Sequence, residues 1–245
     1  MTLRALSASL VALGLFTAAV TGCDSGRRVL VVEEEFALGD LSEIALDQRA
    51  GDLVIVGEDD SDAVRLVVEL RTHRASTSRD EQAKDALRIG LDREGRDVGR
   101  LLAGLHRPPA GYYVDVTAFV PSSVHMEVED GSGDVLIENL ASLRIDDDSG
   151  DIDIVGIAGD LVISDDSGDL VAEQIGGSVR IDDDSGDIVL ADIGGDVEID
   201  DDSGDMVIED AEGTVTIDDR SGDIVVLGAK DVDVRSDSSG DVVIR

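Results

Sequence analysis

Beyond residue 130 the chain alternates apolar and polar positions in short bursts that recur at a fixed interval. Two residues after a glycine stands an aliphatic side chain: Val135, Ile152, Leu170, Ile188, Met206, Ile224 and Val242. Two further on stands another: Ile137, Ile154, Ala172, Leu190, Ile208, Val226 and Ile244. A period of two marks a strand with one buried face. Half a unit later comes a second burst, in Leu161-Val162-Ile163, Val179-Arg180-Ile181, Val197-Glu198-Ile199 and Val215-Thr216-Ile217. Its middle residue is often polar and predicted to face water. Each unit thus predicts two short strands, each followed by a turn.

The units are copies of one another. Ser-Gly-Asp recurs with its glycine at Gly133, Gly150, Gly168, Gly186, Gly204, Gly222 and Gly240, at an interval of 17 and then 18 five times. One unit cannot stand alone. Its inward aliphatics are worth ~1.5–3 kcal/mol each, against ~1–2 kcal/mol of backbone entropy for every residue ordered. Stacking, with each coil hydrogen-bonded to the next about 4.8 Å away, makes the sum favourable. The prediction is an all-β, single-domain β-solenoid with about 18 residues per coil. A right-handed parallel β-helix is favoured over a two-sided roll. The glycine column, free to take φ > 0, is expected to mark one corner.

The amino half is less regular. Strands are predicted over residues 29–32, 53–56, 64–70, 112–120 and 124–128, and a short helix over 80–87. Ala50-Gly51-Asp52-Leu53-Val54-Ile55 echoes the start of the later units, so the solenoid is expected to begin near residue 40. Between Arg65 and Arg107 ten basic residues meet seven acidic ones, whereas from Asp130 onward 34 acids meet 6 bases. This basic excursion either docks on the acidic rod or faces anionic lipid headgroups.

The first 22 residues predict a processing signal. Arg4 supplies the positive start, residues 5–20 form an uncharged run, and Val20-Thr21-Gly22-Cys23 looks like a lipobox. Cys23 is the only cysteine, so no disulfide forms within the chain and lipidation of Cys23 is expected. The organisation expected is a lipoprotein signal peptide over 1–22, an anchor and lead-in over 23–39, an irregular β part over 40–129, and regular repeats over 130–245. The product is an exported, membrane-anchored lipoprotein, facing the periplasm or the cell surface.

Composition narrows the function. The 245 residues carry a formal charge of −36, which repels phosphate backbones and argues against nucleic-acid binding. Hydrophobic residues make up 42%, so the chain is not of the disordered acidic type. Aromatics at 2% and no Trp leave little to stack a base or sugar. His73, His106 and His125 have no ligand spacing, and the serines of the repeat recur too regularly for a nucleophile. No active site is predicted and the protein is read as not an enzyme.

The segment Tyr113-Val114-Asp115-Val116 … Val120-Pro121-Ser122-Ser123-Val124, followed by Glu129-Asp130-Gly131-Ser132-Gly133-Asp134-Val135, resembles the bacterial putative-adhesin β-strand-repeat family, a family of unknown function. The resemblance covers residues 30–245. It implies a β-helical fold on an exported or lipid-anchored protein, and brings no catalytic residues with it.

The aspartates are the remaining candidates. Stacking puts Asp134, Asp151, Asp169, Asp187, Asp205, Asp223 and Asp241 in one column, Asp182, Asp200 and Asp218 in another, and Asp165, Asp183, Asp201 and Asp219 in a third. Like charges so opposed repel by roughly 0.9 kcal/mol per pair in water. In one reading they form turns and keep the rod soluble. In the other they collect Ca²⁺, a hard cation wanting six to eight oxygens, through Asp146, Asp147, Asp148, Asp151, Asp165, Asp166, Asp169, Asp182, Asp183, Asp184, Asp187, Asp200, Asp201, Asp202 and Asp205. No other cofactor is expected. The reading is a non-catalytic, lipid-anchored envelope or surface protein, an acidic solenoid acting as a structural or adhesion-like module for a protein or envelope partner. The alternatives are a calcium-dependent envelope protein and a self-assembling scaffold. A monomer is expected, with end-to-end pairing through the open strand edge at Asp241–Arg245 as the exception.

Overall fold

The structure is a computed structural model and describes residues 26–74, 76–107 and 109–245. The expected signal over 1–22 and Cys23 lie outside the described residues. The chain runs through β1 (Arg27–Ala37), β2 (Glu43–Gln48), β3 (Leu53–Glu58), β4 (Ala63–Thr72), helix α1 (Thr77–Ala86), β5 (Leu87–Glu94), β6 (Val98–Leu105) and β7 (Tyr112–Pro121). It then alternates between two facing sheets. One sheet receives β8 (His125–Asp130), β10 (Ser142–Asp147), β12 (Leu161–Asp165), β14 (Val179–Asp183), β16 (Val197–Asp201), β18 (Thr214–Asp219) and β20 (Asp231–Asp237). The other receives β9 (Val135–Leu140), β11 (Ile152–Ile157), β13 (Leu170–Ile175), β15 (Ile188–Ile193), β17 (Met206–Ala211), β19 (Ile224–Leu227) and β21 (Val242–Ile244).

All strands from β8 on pair parallel, one coil with the next, and like residues stack. Ile188 lies between Leu170 and Met206, and Ile181 between Ile163 and Ile199. The inward aliphatics form one core that runs from Leu38 to Val226. This is the predicted solenoid, with two strands per coil. The coils stack through parallel strands, as expected, and lie in two sheets. Two strands of five or six residues and two turns use up an 18-residue coil, and none is left for a third face.

Five glycines of the column take positive φ as expected, from 131° at Gly133 to 158° at Gly222, and the column is crowded as well. A Cβ on Gly186 would stand 1.7 Å from the carbonyl oxygen of Gly168, and one on Gly204 1.7 Å from that of Gly186. Coils approach so closely at this corner that only a bare Cα fits. A second positive-φ corner lies at the other turn, where Asn139, Gln174 and Asp192 take φ of 60°, 60° and 57°, with Gly156 and Gly228 at 77°. Asn and Asp tolerate this region by bonding locally, and Gly adopts it freely.

At the amino end, order in space departs from order in sequence. β2 pairs parallel with β8 on one side and β6 on the other, and β3 likewise with β9 and β7. The coil β6–β7 thus lies outside the coil β2–β3, and the chain passes over that coil from β7 to reach β8. The echo at Gly51-Asp52 does mark a solenoid coil. Antiparallel β4, then β1, close one sheet, and antiparallel β5 closes the other. The basic excursion is thereby the end cap of the rod. The sequence predicted its helix but not its hairpin, although Leu87, Ile89 and Leu91 alternate and sit opposite Leu105, Ala103 and Leu101.

Candidate functional site

The aspartates of the repeat separate by face. Period two carries the inward set from Val179 and Ile181 on to Asp183, and in the same way to Asp130, Asp147, Asp165, Asp201 and Asp219 at the ends of their strands. These six are between 0% and 5% exposed. They stack in register, Asp130 on Asp147 and Asp165 on Asp183 on Asp201 on Asp219. In four of them Oδ1 accepts the amide of the serine two residues on: Ser167 at 3.1 Å, Ser185 at 3.2 Å, Ser203 at 3.0 Å and Ser221 at 2.9 Å. That contact closes the turn. The Oδ2 atoms of Asp165, Asp183 and Asp201 are buried without a partner, as are both carboxyl oxygens of Asp130 and Asp147.

Burial therefore pushes Asp165, Asp183 and Asp201 up to about 7, the neighbouring carboxylates adding to the rise and the serine amides opposing it. Asp130 and Asp147 move in the same direction, again chiefly through burial. Ionising the whole column would leave charge on charge one strand spacing apart, in a setting far less polar than water. The column is a store of protons that fills near neutral pH.

A second column lies outside and does other work. Asp52 donates its amide to Asp115 Oδ1 at 3.3 Å, and Asp134 donates to Asp52 Oδ1 at 3.4 Å. The series continues through Asp151, Asp169, Asp187, Asp205, Asp223 and Asp241, each amide bonding the carboxylate of the coil before, at 3.5 to 2.9 Å. It follows the coils in spatial order rather than chain order. At its amino end Asp115 Oδ2 accepts Arg71 Nε at 2.7 Å, so a guanidinium terminates the row.

The remaining candidates face solvent. Asp146, Asp182 and Asp200 project from the outer side of their sheet, and Asp148, Asp166, Asp184 and Asp202 sit in the turn that follows. Asp202 pairs with Arg220 one coil on. Among the described residues no three acidic, His or Cys side chains converge as a metal site requires. The histidines are dispersed: His73 stacks on Tyr113 with ring centres 5.3 Å apart, and His125 meets Ser142.

One surface feature escaped sequence reasoning. On the outer side of the β9–β21 sheet, Leu136, Val171, Val189, Val207, Val225 and Val243 stand in one register column, broken by Asp153. Val189 is 36% exposed. The outer aspartate column runs along one side of this stripe, and along the other Glu138, Glu173 and Glu209 alternate with Val155, Ala191 and Leu227. The signal was present: six of the seven units carry three apolar residues in succession, as in Ile188-Val189-Leu190, and the middle one of an alternating strand must face out.

No protein-family model and no curated protein matches the sequence. Solved structures similar to this chain include a "putative lipid binding protein" from Parabacteroides distasonis ATCC 8503, 16% identical, with a TM-score of 0.44 over 84% of this chain and 97% of the other. A "putative adhesin" from Parabacteroides merdae ATCC 43184 is 13% identical, with a TM-score of 0.38 over 88% and 96%. Another from Bacteroides fragilis NCTC 9343 is 12% identical, with a TM-score of 0.40 over 88% and 96%.

Proposed function

We propose that this is a non-catalytic envelope or surface protein, anchored by lipid on Cys23, whose acidic solenoid offers one flat side for adhesion-like contact. The observation that carries the reading is the outer valine stripe. Aliphatic side chains stacked along the outer side of a sheet, with a row of aspartates on one side and a mixed acidic and aliphatic row on the other, are a surface suited to a partner with apolar groups at its centre and basic groups along one edge. The lipobox Val20-Thr21-Gly22-Cys23 supports the anchor. Among the described residues no helix is long and apolar enough to cross a membrane. Attachment in this reading is through Cys23.

Two measurements test it together. Labelled palmitate should enter the wild-type protein and not Cys23→Ser, which should leave the membrane fraction. Beads coated with the protein should attach to cells that make it, and beads carrying Val171→Ser, Val189→Ser and Val207→Ser together should not. An unlabelled wild type sinks the anchor, and equal attachment of the two kinds of bead sinks the stripe.

A further inference from the structure

Beyond Leu101 strand β6 runs on to Leu105 without β2 beside it, because their register covers only Glu43–Leu46 against Val98–Leu101. On the facing sheet β7 starts at Tyr112, four residues before its register with β3 begins at Val116. Each overhang is roughly 13 Å of strand. Antiparallel pairing brings further strand ends to the same edge. Leu87 of β5 lies opposite Leu105, Thr72 of β4 opposite Tyr112, and Arg27 of β1 opposite Thr72. Helix α1 joins the end of β4 to the start of β5 and so lies there too. Together they form a lobe that projects past the corner where the outer aspartate row begins, at the amino end of the rod.

Its charge is opposite to that of the molecule. Residues 26–28, 71–88 and 104–113, which make up the lobe, hold eight basic and three acidic residues in a chain of net charge −36. Half of the bases are taken up by acids: Arg27 by Asp80, Lys84 by Glu81, and Arg28 and Arg71 by Glu69 and Asp115 at the border. The other half, Arg74, Arg79, Arg88 and Arg107, are exposed and have no acidic partner among the described residues. They ring the lobe. Arg74 lies beside Gly111, and Arg79 precedes Asp80, whose carboxylate accepts Tyr112 Oη at 2.6 Å. Arg88 stands opposite Gly104, and Arg107 follows two residues after Leu105.

The chain also enters the fold here. The amide of Gly26 donates to Tyr113 Oη at 3.1 Å, and Arg27 meets Asp80 on α1 at 2.7 Å. Cys23 precedes Gly26 by three residues, a reach of at most ~11 Å. A lipid on Cys23 therefore sets the lobe, rather than the acidic coils, next to the bilayer.

We infer that this lobe binds the headgroups of anionic phospholipid through Arg74, Arg79, Arg88 and Arg107, and that the rod stands on its cap and points away from the bilayer. A guanidinium grips phosphate oxygens with two parallel bonds. Each basic side chain at an anionic surface is worth about fivefold in partitioning. The charge of the rod does not forbid this. With coils about 4.8 Å apart and a Debye length of about 8 Å in physiological salt, carboxylates beyond the second coil are screened from a surface at the cap. Lying flat would instead press the outer aspartate row against like charge. The placement beside the bilayer rests on the Cys23 anchor proposed above. The affinity does not, so failure of either leaves the other standing.

The test sediments the unlipidated protein beginning at residue 24, which contains every described element, with two kinds of vesicle. Vesicles of phosphatidylglycerol and phosphatidylcholine in equal parts should bind it at least about tenfold more tightly than phosphatidylcholine alone. Changing Arg74, Arg79, Arg88 and Arg107 together to Gln should remove that preference without moving the unfolding midpoint. Changing Arg144, Arg180, Arg220 and Arg235 to Gln alters net charge equally but along the rod, and should leave the preference in place. No preference for the anionic vesicles, or equal loss in the two variants, would overturn the inference. Tighter binding to a soluble sulfated glycan than to the vesicles would overturn the lipid and assign the arginines to a glycan. Orientation is read from a polarity-sensitive dye on single cysteines, since Cys23 is the only native one. Attached to Ser78→Cys on α1 the dye should shift to the blue on anionic vesicles, and attached to Ser238→Cys in the last coil it should not. A shift at Ser238 would overturn the upright rod.

Discussion

At the scale of single residues, the inward aspartates set the response to pH, and they do so against the usual direction. An aspartate titrates near 3.9 in an unfolded chain. Asp165, Asp183 and Asp201 titrate at about 7 in the fold. The folded state therefore holds more protons between these values, and its stability falls as pH rises through 7. Below about pH 4 the penalty has vanished, and above pH 8 it is complete. The thermal midpoint is expected to rise as pH falls from 8 to 5. Asp183→Asn keeps the acceptor for Ser185 and removes the charge. It should raise the midpoint at pH 8 by roughly 2–8 °C, for about 1–2 kcal/mol, and flatten the pH profile. A midpoint that falls with acidification, or an Asn variant less stable at pH 8, would contradict the buried column. Register stacking of Asp165, Asp183, Asp201 and Asp219 was legible in the 18-residue interval. That they point inward was also legible, by counting in twos from Val179, yet three carboxylates in a row at a turn read more naturally as solvent-facing.

For the strands and turns, the outer aspartate row acts as a second ladder beside the backbone one. Each carboxylate fixes the residue just before the next strand in its own sheet, as Asp187 Oδ1 does for the amide of Asp205 at 2.9 Å. Repulsion between such exposed neighbours is of order 1 kcal/mol in water, and a hydrogen bond to a charged group gains about 1.5–3 kcal/mol. The bond outweighs the repulsion, so the row persists. Asp187→Ala should accordingly speed hydrogen exchange at the amide of Asp205 about tenfold while leaving the global midpoint nearly unchanged. Unchanged exchange at Asp205 would show the row to be ornamental. The hairpin β5–β6 belongs to this scale too. Its strands are short of β-branched residues and rich in Arg and Gly, so propensity is silent. Pairing with β2 supplies what propensity does not.

Over the whole molecule the controlling quantity is charge. Net −36 on a thin rod places many carboxylates within one Debye length of each other at low ionic strength. Raising NaCl from about 0.01 M to 1 M shortens that length from about 30 Å to 3 Å, and the unfolding midpoint should climb with it. Calcium at matched ionic strength separates the two readings of the outward aspartates. An increment beyond that of sodium marks them as ligands, and equality assigns the rise to screening. The end cap moderates the same repulsion by bringing cations to acids, as in Arg27 with Asp80 at 2.7 Å, Arg28 with Glu69 at 2.9 Å and Arg65 with Glu58 at 3.2 Å. Surface pairs of this kind are worth only ~0–1 kcal/mol each, so the cap acts mainly by covering apolar edges.

Local pattern was enough for the solenoid itself. A repeat of 18 residues, alternation within it and a bare glycine at one corner leave stacked parallel strands as the way to bury Ile188 and its counterparts. The columns followed, because identical intervals put like residues in register. Tertiary structure alone decided what depends on contacts between distant segments. The coil β2–β3 sits between β6–β7 and β8–β9, an order no interval encodes, since either neighbour offers the same edge to pair. The lobe with its arginines exists because two strands overrun a corner contributed by residues some fifty positions earlier. The flattened cross-section follows from how two nine-residue halves close against each other, and periodicity along a strand does not report the angle at which strands meet.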